Sequence, residues 1–193
     1  MSAELIRDVA LVHFADKGYE GASLQDIATD VGIKKPSIYA HFKGKDDLFL
    51  HVANYVFQQE KRKMITLFAS RKNYSLEENL VYFFDWIVEE NKHNEHAKFL
   101  LRVSYFPPAK LYNEVMRIVN PFFADMERLL AKYMRKHSSV ENDEKKYLDE
   151  ALAYITIVDG AVIDLIFSGE DSYYRRVRAI WPIYFKGVQT INN

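Results

Sequence analysis

Glycine and proline interrupt this chain rarely, with seven glycines and five prolines in 193 residues. The stretches between them consist largely of helix-forming and aromatic residues. A sheet protein needs many tight turns, and most turns depend on glycine or proline. The sequence therefore predicts an all-α fold, and its 49% hydrophobic content is enough to bury a sizeable core.

Several kinds of chemistry are excluded or disfavoured by what the sequence lacks. No cysteine is present, which rules out disulfides, cysteine-ligated zinc and thiol catalysis. A ferritin-like di-iron site needs two Glu-x-x-His motifs, and only Glu90 to His93 fits. No phosphate-binding loop, nucleophile motif, signal peptide or uncharged apolar run of about 18 residues occurs. We therefore expect a cytoplasmic protein without metal, cofactor or membrane association, and not an enzyme.

The first 50 residues contain the start and stop signals of three helices. An apolar stripe over residues 2–17 predicts the first, and Ser23 with its capping pattern opens the second. Gly32 ends that helix, Pro36 lies in the first turn of a third, and Gly44 ends the third. Two short helices joined by a glycine turn after a longer helix are typical of a helix-turn-helix domain.

Six more helices are predicted, for about nine in total. A helix-turn-helix domain over residues 1–48 is expected to precede a ligand-binding and dimerisation domain over residues 49–193. Pro121 should kink one of the later helices, and the polar run 136–144 is predicted to be an exposed loop. The predicted helices cover residues 45–70, 75–92, 95–105, 109–136, 144–167 and 172–191.

Two adjacent lysines, Lys34 and Lys35, stand where the third helix begins. Because a helix N-terminus carries partial positive charge, cations there are mildly unfavourable. Residues 31–45 hold four lysines and no acid, although the net charge of the whole chain is −1. A lysine pair is often only a solvated turn, but this one lies at the end of the helix that would face the bases. An anionic partner, double-stranded DNA, accounts for the pair.

The sequence resembles the TetR family of ligand-responsive bacterial repressors over residues 5–49. The resemblance implies a homodimer that binds a palindromic operator and releases it when a small molecule binds. Lys34 replaces the usual Ser or Thr and Ala22 replaces the usual Thr, so the operator sequence cannot be transferred from relatives. The matching residues are Phe14, Gly18, Tyr19, Ser23, Asp26, Ile27, Ala28, Gly32, Ile38, Tyr39, His41, Phe42, Lys45 and Leu48.

The same resemblance assigns DNA contacts. Tyr39 and Lys45 would bind backbone phosphate. His41 is either a phosphate or sugar contact or a histidine packed at a helix end, and the sequence leaves both open. The predicted contacts are Ser23, Lys34, Lys35, Pro36, Ser37, Tyr39, His41, Lys43 and Lys45.

Residues 50–193 hold most of the aromatic side chains and both tryptophans. Any single one is most simply a core residue, but as a group they suit an apolar pocket for a lipophilic small molecule. Asp159 either binds a cationic ligand group or bonds a neighbouring helix. The predicted pocket residues are Phe83, Trp86, Phe99, Tyr105, Phe122 and Asp159.

The resemblance also implies dimerisation through the last two helices as a four-helix bundle. The helix over residues 147–169 is apolar on nearly every face, which suits burial on more than one side. The alternative function is an all-α ligand-binding or protein-interaction module, or an enzyme, that uses the helix-turn-helix only as scaffold. The candidate dimer residues are Ala161, Leu165, Ile180, Ile183 and Tyr184.

Overall fold

The computed structural model describes residues 2–137 and 143–191, so residues 138–142 of the predicted polar loop lie outside it. Within these ranges all regular structure is helical, which confirms the all-α prediction. Eight α-helices and two 3₁₀ helices are present there. The α-helices are α1 (Ala3–Gly21), α2 (Leu24–Val31), α3 (Lys45–Ser70), α4 (Leu76–His93), α5 (Glu95–Tyr105), α6 (Tyr112–Lys136), α7 (Glu144–Phe167) and α8 (Glu170–Ile191), and the 3₁₀ helices are Lys35–Ala40 and Ala109–Leu111.

Gly18 interrupts α1, but the helix resumes after it. Its φ of 70° is a left-handed conformation that other residues rarely adopt. A Cβ atom at this position would also lie 3.1 Å from a guanidinium nitrogen of Arg102. The chain therefore kinks at Gly18 and continues helically to Gly21, so the predicted end at residue 17 was four residues short of the observed one.

The short α2 begins and ends where the sequence predicts. The Ser23 hydroxyl accepts a hydrogen bond from the Asp26 N–H at 3.1 Å. Gly32 adopts φ 77° after the last turn, and the Ile33 N–H donates to the Ala28 carbonyl at 2.9 Å. These bonds satisfy groups that the helix itself leaves unpaired.

The third helix of the predicted triad is a 3₁₀ helix, not an α-helix. Six residues, Lys35–Ala40, would make fewer than two turns of α-helix, and the tighter i→i+3 bonds are typical of such short pieces. The Ile38 carbonyl accepts from the N–H groups of both His41 and Phe42 at 2.9 Å. Lys34 makes no side-chain cap, as expected from the loss of the usual Ser or Thr.

The chain packs as two compact units, and the first comprises residues 1–66 and 90–122. Its core contains Phe14, Phe49 and Phe99, with ring centroids 5.0 Å apart for the first pair and 5.5 Å for the second. Arg102 of α5 donates to the carbonyls of Ala15 and Asp16 at 3.0 and 3.2 Å. The three-helix domain therefore shares its core with α5.

The second unit comprises residues 67–89 and 123–193, of which the structure describes 67–89, 123–137 and 143–191. Tyr154 of α7 and Tyr173 of α8 are fully buried, and their hydroxyls donate to the carbonyls of Leu80 and Phe84 at 2.7 and 2.9 Å. Burial raises the pKa of both hydroxyls far above any physiological pH. Both tyrosines therefore stay neutral donors that fix α7 and α8 against α4.

These units do not coincide with the predicted division of function at residue 48, which stays a prediction. Residues 90–122 group with the first unit because α5 packs on α1. The helix after Gly169 begins at Glu170, two residues earlier than predicted, and contains Pro182. Pro121 lies inside α6 as the sequence predicts.

We expect Asn79→Ala to lower the free energy of unfolding by about 2 kcal/mol. Asn79 is buried, accepts from the Arg71 side chain at 2.8 Å and donates to the Tyr133 hydroxyl at 2.7 Å and the Arg71 carbonyl at 3.1 Å. Removing the amide leaves these groups without their partner. Urea denaturation measures the loss, and Asn113→Ala, at an exposed site on α6, should change stability by less than about 0.5 kcal/mol. Equal effects at both sites would contradict the role of Asn79.

Candidate nucleic-acid interface

The 3₁₀ helix buries one residue and exposes the rest of its surface. Ile38 has no exposed area, whereas Lys34, Lys35, Pro36 and Ser37 are all exposed. No ion pair of Lys34, Lys35 or Lys43 is found within the described residues. The N-terminal end of this helix therefore presents two uncompensated cations to the solvent.

Tyr39 and His41 extend the exposed surface. Tyr39 is 53% exposed, so its aromatic side chain is not part of the core. His41 is also exposed, although its ring lies 6.5 Å from that of buried Phe42. The buried side chains of Ile38 and Phe42 anchor this segment to the core. Tyr39 and His41 are therefore left to face the solvent.

Ser23 and Lys45 are half-buried and already bonded within the chain. Ser23 caps α2, so its hydroxyl has a structural role whatever else it contacts. The Lys45 Nζ donates to the Glu20 carbonyl at 3.2 Å and lies 4.5 Å from the centre of the Tyr19 ring. Lys45 is thus the most precisely positioned of the predicted cations.

An acid at the start of α3 adjoins this lysine. Asp46 accepts from the Tyr19 hydroxyl at 2.5 Å and pairs with Lys110, whose Nζ lies 2.6 Å from its carboxylate. The hydrogen bond from Lys110 holds the pKa of the Asp46 carboxyl below its usual range, and the bond from Tyr19 contributes as well. Asp46 is therefore an ionised but paired acid beside the basic surface.

The six predicted pocket residues are divided between the two units. Phe99, Tyr105 and Phe122 belong to the first, where Phe99 and Phe122 are buried core residues packed on Phe49 and Phe57. In the second unit, half-buried Phe83 and Trp86 stack with ring centroids 5.4 Å apart. Asp159 is half-buried on α7. Their assignment to a ligand pocket stays a prediction.

The five predicted dimer residues differ in exposure. Ala161 and Leu165 are buried within the single chain, and Tyr184 is half-buried with its hydroxyl donating to the Glu150 carbonyl at 2.9 Å. Ile180 and Ile183 are exposed, the latter to 69%. Of the five, these two isoleucines are therefore the exposed apolar residues.

Two features of these surfaces were missed by sequence reasoning. Ile163 and Phe167 form an exposed apolar stripe on α7, with Phe167 67% exposed. Their spacing of four, continuing from Leu148 and Leu152, is a signal that the high apolar content of this helix obscured. The pairing of Lys110 with Asp46 had no sequence signal, because 64 positions separate the two residues.

No group of three side chains suited to hold a metal ion occurs in the ranges that the structure describes. The helices of those ranges also fall short of the length and hydropathy needed to cross a bilayer.

Two α-helices followed by a short helix with an exposed basic surface are typical of a helix-turn-helix DNA-binding protein. Residues 6–52 match the family model described as bacterial regulatory proteins, tetR family. The helix-turn-helix domain of this chain is that of the TetR family of transcriptional regulators. The predicted family, fold class and DNA-binding regulatory function are thereby confirmed, and the family is not one of enzymes.

Relatives and solved structures agree with this assignment. The Biofilm operon icaADBC HTH-type negative transcriptional regulator IcaR of Staphylococcus aureus (strain Newman) is 24% identical, over 79% of this chain and 96% of its own length. A TetR-family regulator from Agrobacterium tumefaciens has the same fold at 18% identity, with a TM-score of 0.70 over 95% of this chain and 96% of its own. FadR from Bacillus subtilis, solved with stearoyl-CoA, has a TM-score of 0.65 at 15% identity over 95% of this chain and 97% of its own.

Proposed function

We propose that this regulator represses transcription by binding a palindromic operator as a homodimer, and that a small lipophilic molecule releases it from DNA. The observation that carries the proposal is the exposed basic surface at the start of the 3₁₀ helix. Its DNA contacts are proposed to be Ser23, Lys34, Lys35, Pro36, Ser37, Tyr39, His41, Lys43 and Lys45. Repression is supported by the similarity to IcaR, which is a negative transcriptional regulator.

Charge and exposure support this choice of surface. Lys34 and Lys35 are exposed, and residues 31–45 contain no acid that could pair with them locally. Lysine binds phosphate and the purine acceptor atoms of the major groove. Tyr39 adds a hydroxyl that can donate to phosphate. A helix N-terminus rich in such donors is the part of a helix-turn-helix that lies nearest the base edges.

Charge reversal of the lysine pair tests the surface. We expect Lys34→Glu/Lys35→Glu to weaken operator binding by about 100-fold or more, because four units of charge change next to the phosphates. The operator is obtained by selecting the wild-type protein against random duplex DNA, and affinity is then measured by fluorescence anisotropy.

The matched control is Lys132→Glu/Lys136→Glu on α6, where two exposed lysines undergo the same change of charge. It should bind within about threefold of wild type, since neither lysine is among the proposed DNA contacts. Unchanged binding by the Lys34/Lys35 variant would contradict the proposed surface. Failure of the selection to enrich any DNA sequence would instead favour a protein-interaction module that uses the helix-turn-helix as scaffold.

The proposed dimer interface follows the exposed apolar residues of α7 and α8. Ile163 and Phe167 on α7, with Ile180 and Ile183 on α8, leave apolar side chains in water within a single chain. A Cβ atom at Gly160 would meet nothing within 4 Å, so a second helix can approach there. A two-fold dimer would place its two 3₁₀ helices about 34–36 Å apart, one turn of DNA.

We expect Ile183→Glu to convert a dimer into a monomer, because two unpaired carboxylates would be buried across the two-fold axis. Sedimentation velocity measures the mass. Ile65→Glu, at an exposed isoleucine of α3, is the matched control and should remain dimeric. A dimeric Ile183→Glu, or a monomeric wild type at micromolar concentration, would contradict this interface.

The effector proposal centres on the half-buried aromatic pair of the second unit. Phe83 and Trp86 keep part of their stacked surface accessible, unlike the buried Phe99 and Phe122. An accessible aromatic surface suits an apolar ligand. FadR from Bacillus subtilis, with the same fold, was solved with stearoyl-CoA, which makes an acyl thioester the first probe to use.

We expect stearoyl-CoA to quench tryptophan fluorescence saturably and to weaken operator binding, because a ligand shifts the equilibrium toward the state it binds better. Trp86 and Trp181, the two tryptophans, both lie in the second unit. Trp86→Phe should remove most of the quenching but keep the effect on DNA. Coenzyme A without an acyl chain is the control, and an equal response to it would exclude recognition of the acyl chain.

A further inference from the structure

Lys110 lies far from the helix-turn-helix in sequence but next to it in the first unit. It occupies the 3₁₀ turn Ala109–Leu111, which follows the prolines 107 and 108. Its Nζ lies 2.6 Å from a carboxylate oxygen of Asp46, in the first turn of α3. The Lys110 side chain is 64% exposed and that of Asp46 40% exposed, so the pair lies at the surface.

The same carboxylate organises the residues around Lys45. Its second oxygen accepts from the Tyr19 hydroxyl at 2.5 Å. The Tyr19 ring in turn lies 4.5 Å from the Lys45 Nζ, and that ammonium also donates to the Glu20 carbonyl. A continuous series of contacts thus runs from Lys110 through Asp46 and Tyr19 to Lys45.

Asp46 poses an electrostatic problem for DNA binding. It is a negative charge one residue from a lysine proposed to meet a backbone phosphate, well inside the screening length of about 8 to 10 Å. An uncompensated carboxylate there would repel the phosphate. Lys110 cancels that charge and at the same time leaves Asp46 bonded to Tyr19.

We propose that Lys110 is a positioning residue for DNA binding, which neutralises Asp46 and thereby keeps Tyr19 and Lys45 in place beside the phosphate. The proposal rests on the DNA-binding surface described above and extends it to a residue outside the helix-turn-helix. Lys110 acts through Asp46 and itself makes no phosphate contact. Its effect must therefore vanish when Asp46 loses its charge.

The test compares Lys110→Ala with the double variant Lys110→Ala/Asp46→Asn in operator binding at several salt concentrations. We expect Lys110→Ala to weaken binding about threefold to tenfold and the double variant to restore it to within twofold of Asp46→Asn alone, as for a coupled pair. The slope of log affinity against log salt should stay within about half a unit of wild type, because no phosphate contact is lost.

Lys98→Ala is the matched control. Lys98 pairs with Glu95 at 2.8 Å in the same unit, and both residues of this pair belong to α5. It should leave operator affinity unchanged. An equal loss in Lys98→Ala would overturn the proposal, as would failure of Asp46→Asn to rescue Lys110→Ala or a salt slope reduced by about one.

Two further variants keep the outcome interpretable. Lys110→Arg retains the charge and should bind as wild type, and a loss there would also overturn the proposal. Thermal melting checks that each variant is folded, and Lys110→Gln replaces the alanine variant if that one is not. Failure of the DNA-binding surface itself is seen separately, because Lys34→Glu/Lys35→Glu would then retain affinity.

Discussion

Burial of Ile38 is the constraint on which the DNA-binding surface depends. The 3₁₀ helix has six residues, and only this one is buried. With Phe42 it fixes the segment on α2 and α3, because the hydrogen bonds of so short a helix would not hold it alone. Because these two apolar side chains face inward, the lysines and Tyr39 must face outward. An apolar anchor thus determines the orientation of a polar surface.

Electrostatics around α3 refine that surface. A helix N-terminus favours acids, which explains Asp46 and Asp47 in the first turn. The same position is where phosphate is proposed to bind. An acid there stabilises the helix, but its negative charge repels the phosphate. The ion pair with Lys110 meets both requirements. Asp46 stays at the helix N-terminus, and the positive charge of Lys110 offsets its negative charge.

Two buried tyrosines connect the helices of the second unit. Tyr154 and Tyr173 combine large apolar rings with one hydrogen bond each to a helix carbonyl. The buried carboxylate of Asp164 accepts hydrogen bonds from the Ser172 hydroxyl at 3.0 Å and from the Arg176 side chain. Its partners lie on the neighbouring helix, so its role within the described residues is structural.

Local signals in the sequence determined the fold class, the helix ends at Ser23 and Gly32 and the position of the basic surface, because caps, turns and periodicity act over a few residues. Only the tertiary structure decided that Phe99 is a core residue, that Ala161 is buried within one chain, and that Lys110 neutralises Asp46. Such burial and pairing depend on which distant segments pack together, and contacts between residues far apart leave no spacing that a single sequence can show.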